Sequence, residues 1–363
     1  MKDSERAFRA AMRSILPSEL VLDRHMFATR NQCGMMFGLN PFIQSWVDAF
    51  NKCKSHSVAG EMPHPLGDIG ACYGINAFYA VTQGAYVVAI DTTDLHLNLI
   101  KPAVKLAYQN VEKIRRRRQL LLQQQQEKQA TRIHESGEYE DLGPEMTDVE
   151  KLDAQSPISD QSYDELSPNP YVRPETSSLP LPLWEEMDAR LSIAFGSLPS
   201  DIPASPARDG LYSGLLVSEV FHFLTGEQVD VAMGNLFKAL CPGGLVIITA
   251  IGHGALGFWK SQASRRKWAE FASEKMKAGV AVEWDTTINP EILRDHNQEE
   301  FAPAFWQTFD KNRLSRCAVR AGFDIVEAIH FDNHAYQKFH NNPELCREFG
   351  LPVHVALIAK KPL

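Results

Sequence analysis

The chain has 363 residues, 44% of them hydrophobic, which is enough to bury a core in one large α/β domain with additions or in two domains. A net charge of −8 argues against non-specific binding to nucleic acid, so nucleic acid is not an expected partner. The six cysteines (Cys33, Cys53, Cys72, Cys241, Cys317 and Cys346) contain no Cys-x-x-Cys pair, so neither a disulfide framework nor a metal site is expected.

Residues 1–62 read as an N-terminal helical lid or cap. The start, Met1 to Arg6, is charged and lacks the apolar stretch of a cleaved leader. No apolar run approaches the ~20 residues that a membrane span needs, so a soluble, cytoplasmic protein is expected. Apolar spacing predicts a helix over Arg6–Leu20, and Asn40-Pro41 opens a second over Phe42–Phe50. Between them, residues 30–40 mix polar groups, glycines and apolar anchors. That segment either packs on the sheet edge or forms a lid in which Arg30 or Asn31 reaches a ligand carboxylate.

The next stretch, Pro65 to Phe78, organises the rest. It reads as a short buried strand (about 65–70), a glycine turn, and a helix (about 75–83). Gly70 and Gly74 flank the turn, where positive φ or close backbone approach is expected. A second apolar strand, 85–91, ends in Asp91. A glycine turn after one strand and an acid closing the next suits an adenosine-type ligand, because the turn offers N–H groups and the acid a ribose-binding carboxylate. A further helix starts with Asp94 as its N-cap and runs on to Gln129, carrying the basic run Lys113 to Arg118. A solvated helix extension fits that run better than a nucleic-acid surface, since no aromatic residues interleave to stack on bases. Residues 63–131 thus form the first part of a sheet domain.

Residues 132–182 are rich in Ser, Asp, Glu and Pro and lose apolar periodicity. They are expected to be a disordered or partner-binding insertion, and a protein partner could engage the 113–182 region. The sheet domain resumes over 183–363. Strands are predicted at 190–195, 210–217, 245–251, 323–331 and 353–360. Helices are predicted at 226–240, 258–277 and 310–321, the last closed by Gly322. The alternation predicts an α/β fold: a doubly wound, mostly parallel seven-stranded sheet with an antiparallel last strand, N-terminal helices and a long insertion between strands two and three. Ligands of such sheets bind outside the carboxyl ends of the strands. Five ends converge there: Asp68 to Gly74, Asp91-Thr92, Gly196-Ser197, Ser218 to His222, and Ile251 to His253.

These residues resemble the class I S-adenosylmethionine-dependent methyltransferases, which are Rossmann-like and seven-stranded. Asp68-Ile69-Gly70-Ala71-Cys72-Tyr73-Gly74 is similar to that family's Asp/Glu-x-Gly-x-Gly-x-Gly motif, with Cys72 at the middle glycine. Ala89 to Asp91 resembles the acidic end of its second strand, Leu216 to Leu224 its fourth-strand motif, and Leu240 to Ile248 its Leu-x-Pro-Gly-Gly stretch. The resemblance covers roughly 60–100 and 188–363. It implies that S-adenosylmethionine is the cofactor and a small molecule or protein the methyl acceptor. It places Asp68, Gly70, Ala71, Cys72 and Gly74 about the methionine part, and Asp91 and Thr92 at the ribose. It puts Ser197 and Leu198 at the adenine, where the family often has an acid, and Ser218 and Glu219 under the sulfonium.

Methyl transfer is an in-line displacement, so the protein mainly aligns the reactants, and a base is needed only for a protonated acceptor. Glu219 and His222 after strand four, and His253 after strand five, are the candidate catalytic groups, although each histidine also suits a packing role. Cys72 has no histidine nearby in sequence and reads as a small packing residue. Two other readings remain open. A nicotinamide-dependent oxidoreductase would want glycines at positions 70, 72 and 75, and two of the three fail. A non-catalytic scaffold would keep the fold for a partner.

Overall fold

A computed structural model of the protein describes residues 2–15, 39–54, 62–136, 183–256, 261–285, 305–331 and 342–363. Arg30, Asn31, Cys33 and the insertion beyond residue 136 lie outside the described residues.

The long apolar runs become the sheet. Strands β1 (Leu66–Ile69), β2 (Val87–Asp91), β4 (Tyr212–Ser218), β5 (Leu240–Ile251) and β9 (His354–Lys360) are buried over nearly their whole length, as strands covered on both faces must be. With β3 (Leu191–Phe195) and β8 (Asp324–Phe331) they form one sheet in the order β3-β2-β1-β4-β5-β9-β8. The first five run parallel, and β9 lies antiparallel between β5 and β8. This is the doubly wound sheet with an antiparallel last strand that the sequence predicts. From β1 the chain winds outward through β2 and β3, then returns to β4 on the other side of β1. The crevice expected at such a switch point therefore falls between the carboxyl ends of β1 and β4.

Period-2 alternation separates two core layers. Leu216, Ile247 and Ala356 face a layer built from α1 (Lys2–Ile15), α2 (Ile43–Lys54), α3 (Ile75–Thr82) and α4 (Asp94–Ser136). Here Phe8 and Met12 of α1 sit in one cluster with Val104, Ala107 and Val111 of α4. Leu215, Val217, Val246 and Ile248 face α6 (Gly226–Ala239) and α8 (Lys311–Ala321). The short helix α5 (Trp184–Arg190) leads into β3. A third cluster, with Ile251, Trp268, Val282 and Leu345, covers the carboxyl end of β5. It draws on α7 (Gln262–Lys277), the hairpin β6 (Val282–Asp285)–β7 (Phe305–Thr308), and α9 (Pro343–Phe349).

Several boundaries differ from expectation. Asp94 is the first residue of α4 rather than its N-cap, and the helix runs seven residues past Gln129, to Ser136. Four-residue strands are too short for a periodicity signal, so the β6–β7 hairpin in the Trp- and Phe-rich region is new. Gly322 closes α8 as predicted, at φ 101°, while Asp310 is its N-cap rather than its first residue, its side chain accepting the Arg313 N–H. Among the described residues, no helix is long and apolar enough to cross a membrane.

Candidate functional site

The site is built on the turn between β1 and α3. Gly70, Cys72 and Gly74 all take left-handed conformations, at φ 72°, 50° and 84°. A Cβ on Gly70 would stand 2.5 Å from Val220 Cγ2, and one on Gly74 2.9 Å from Ile100 Cγ2. The glycines are thus needed for backbone shape and for close packing of neighbouring loops, before any ligand is considered. Cys72 adopts the same conformation with a side chain, at a cost of about 1–2 kcal/mol.

Asp91 holds this turn. Its Oδ2 accepts the Cys72 N–H at 2.8 Å; its Oδ1 accepts the Thr93 N–H at 3.0 Å and lies 3.1 Å from His96 Nδ1. Gly70 and Ala71 donate N–H groups to the Ile90 carbonyl at 2.9 and 3.0 Å. Burial pulls the Asp91 carboxyl upward, but His96 and the two N–H groups win and hold it below the ordinary carboxylate range. An acid closing an apolar strand therefore has a structural use here, and it retains lone-pair capacity for a further donor. Thr92 beside it is exposed.

His96 corrects the reading of Cys72. The first turn of α4 brings His96 Nε2 to 3.9 Å from Cys72 Sγ, which creates a Cys-His-Asp sequence of contacts. Burial raises the Cys72 thiol well above its usual value, and the charge of Asp91 pushes it the same way. The thiol stays protonated, the opposite of what a thiolate nucleophile requires.

Two acids with raised values lie near the carboxyl ends of β1 and β4, Asp68 buried and Glu219 half-buried. Asp68 is fully buried, and burial, with Asp91 adding, pushes its carboxyl up to about 7 against the pull of the Ala77 N–H and Asn76. Neither of its oxygens has a hydrogen bond of ordinary geometry among the described residues. Glu219 follows β4 at φ 58°, and burial pushes it up to about 8 against the Thr249 hydroxyl. Its Oε2 lies 3.9 Å from Nδ1 of the buried His222.

Asn40 is a site residue that sequence reasoning missed. Its Nδ2 donates to Ser218 Oγ at 2.7 Å and to Thr249 Oγ1 at 3.2 Å, and its backbone N–H donates to Asn76 Oδ1 at 3.0 Å. It ties the ends of β4 and β5 to the start of α3. An Asn-Pro pair announces only a helix start, so nothing local marks this reach of 209 residues.

The remaining candidates sit apart or at the rim. Gly196 joins the end of β3 to the Asp91 carbonyl, and Ser197 closes a small turn with Asp201 beside the buried Leu198. His253 is buried with its Nδ1 2.7 Å from Thr308 Oγ1 and its Nε2 3.6 Å from Asp310 Oδ2, at the junction of β5, β7 and α8. Burial lowers its pKa despite Asp310, which keeps the ring neutral at pH 7. At the opposite, amino ends of the strands, Cys53 and Cys241 approach to 3.9 Å between sulfurs, so the cysteines are less scattered than their spacing suggests.

With this sheet order, an antiparallel β9, and the glycine turn, acid and fourth-strand motif gathered at one set of strand ends, the chain's architecture is defined. The fold is that of the class I S-adenosylmethionine-dependent methyltransferases. No protein-family model and no curated protein matches the chain. Solved structures similar to it include an S-adenosylmethionine-dependent methyltransferase from Mesorhizobium loti, 12% identical over 88% of this chain and 100% of that one, TM-score 0.39. Another is a methyltransferase from Methanosarcina mazei, 12% identical over 90% and 99%, TM-score 0.42. A third is a 1,6-didemethyltoxoflavin-N1-methyltransferase from Burkholderia thailandensis with bound S-adenosylhomocysteine, 11% identical over 98% and 89%, TM-score 0.41. Strand order and direction define the fold here, not these distant likenesses.

The residues present fit the cofactor. Asp68 offers two buried carboxylate oxygens without ordinary partners, and Glu219 adds a third, Oε2. A ligand carrying a sulfonium and an ammonium would relieve both acids.

Proposed function

We propose that the protein is an S-adenosylmethionine-dependent methyltransferase acting on a small molecule or a protein. The observation that carries this reading is the left-handed turn of Gly70, Cys72 and Gly74 pinned by Asp91, with the buried Asp68 in β1 and the half-buried Glu219 just after β4. A cationic ligand would favour the charged forms of Asp68 and Glu219, whereas the anionic pyrophosphate of a dinucleotide would raise both further, so the pair suits S-adenosylmethionine better.

S-adenosylmethionine supplies a methyl group on a sulfonium, displaced in line by the acceptor. The chain's own residues do the rest. Asp91 and Thr92 would take the ribose hydroxyls, and the turn from Gly70 to Gly74 would cradle the methionine portion. Asp68 would answer the ammonium. Ser197 and Leu198 would bound the adenine. Ser218, held by Asn40, would line the floor with Glu219. For a protonated acceptor, the Glu219–His222 pair is the nearest base to the end of β4. We assign His253 to positioning the start of α8, through Asp310. We place residues 1–62 as a cap on this domain and the 113–182 region as a partner surface. The basic run there includes Arg116, 3.7 Å from Glu112.

Titration calorimetry with S-adenosylmethionine, S-adenosylhomocysteine and NAD tests the reading. Saturable binding of the first two is expected, with no heat from NAD. Saturation by NAD alone would establish the oxidoreductase reading instead, and silence from all three would favour a scaffold.

A further inference from the structure

We propose that Cys53, His64 and Cys241 form a zinc site of three protein ligands, with Asp209 orienting the histidine. This inference is independent of the methyl-transfer reading, because the cluster lies at the amino ends of the strands. Cys53 is in the last turn of α2, His64 just ahead of β1, Asp209 just ahead of β4, and Cys241 is the second residue of β5.

The geometry points to a metal. A tetrahedral ion with Zn–S near 2.3 Å and Zn–N near 2.0–2.1 Å sets ligand edges of about 3.8 Å between sulfurs and about 3.5 Å between sulfur and nitrogen. Cys53 Sγ lies 3.9 Å from Cys241 Sγ and 3.3 Å from His64 Nδ1. All three ligand atoms fall within 4.8 Å of one another, close enough for one ion to draw them together. A disulfide would need its sulfurs at about 2.05 Å, roughly half the observed separation.

The outer nitrogen supplies an independent observation. His64 Nε2 lies 2.9 Å from Asp209 Oδ2. A carboxylate on that nitrogen holds its proton there and leaves Nδ1 with its lone pair toward the sulfurs. Metal-bound histidines are characteristically held in this way.

Two thiolates and an imidazole favour zinc over hard cations. Each cysteine gives up its thiol proton to solvent as the metal binds, so two protons leave per ion. The side chains of His64 and Asp209 are 28% and 48% exposed, which provides an entry path and room for water as the fourth ligand. An ion here would tie the end of α2 to two strands that flank β4, stapling the N-terminal helices to the sheet.

The test uses the full chain, reduced and stripped of metal, titrated with Co²⁺ and then with Zn²⁺. One Co²⁺ per chain is expected, with thiolate-to-cobalt charge-transfer absorption and the visible bands of a tetrahedral ion, both abolished by Zn²⁺. Cys53→Ser and Cys241→Ser should each weaken the charge-transfer band, and together remove it. Asp209→Asn should keep the spectrum but bind about 10–100-fold more weakly. If a serine variant fails to fold, the wild-type spectrum and Asp209→Asn still decide. The proposal is overturned by any of three results: no charge-transfer band in the wild type, a band that survives the double variant, or unchanged affinity in Asp209→Asn.

Discussion

At the scale of single residues, Cys72 decides how strictly the turn resembles its glycine-rich pattern. Its φ of 50° lies in the region that glycine prefers, so the backbone keeps the glycine shape while the side chain departs from it. Cys72→Gly removes the strain but adds freedom to the unfolded chain, and the two effects offset to within about 1 kcal/mol. Cys72→Val places a branched Cβ at the same φ and should destabilise by about 1–3 kcal/mol. Thermal melts check both, and a valine variant as stable as wild type would mean that the turn does not hold this conformation. Asp91 stood out in the sequence as a candidate ligand-binding acid because it closes an apolar run. Its protein partners were not, since Cys72 lies across the turn and His96 arrives only with the first turn of α4.

At the scale of elements, the turn and the loop after β4 are locked together. Gly70→Ala would set a Cβ against Val220 at positive φ, and both effects act in one direction. A loss of about 1–3 kcal/mol is expected by chemical denaturation, together with weaker cofactor binding. A neutral result would show that the loop of Val220 yields freely. The seven strands were readable because most are buried on both faces and leave unbroken apolar runs. The hairpin β6–β7 was not, because its strands have four residues each and 19 residues lie between them. Asn40 escaped for a different reason: its hydrogen bonds join β4, β5 and α3, and no local pattern encodes contacts at such separations.

At the scale of the whole molecule, the crevice stores destabilising charge. Asp68 and Glu219 have folded-state values of about 7 and about 8, above their ordinary 3.8 and 4.5. Between these limits the folded chain binds more protons than the unfolded chain, so stability present at low pH is lost as pH rises through the window. The ligand-free protein should therefore melt at a lower temperature at about pH 8 than at about pH 5. The Asp68→Asn/Glu219→Gln double variant should flatten that slope; an equal slope in the variant would remove these acids as its cause. Asp310 works the other way: it is held down to about 2, chiefly by His253 against burial, and its contribution is lost only below about pH 4. The Cys53–Cys241 approach also belongs to this scale, since only the assembled sheet brings together residues 188 apart.

We propose that the crevice between β1 and β4 binds S-adenosylmethionine through Asp91. It is tested most directly by calorimetric titration of S-adenosylhomocysteine into the wild-type chain and into Asp91→Asn and Asp91→Ala, each confirmed folded by circular dichroism. One site per wild-type chain is expected, with binding at least about tenfold weaker in both variants, a loss of about 1.4 kcal/mol or more. Equal affinity in all three, or no binding to the folded wild type, would contradict it.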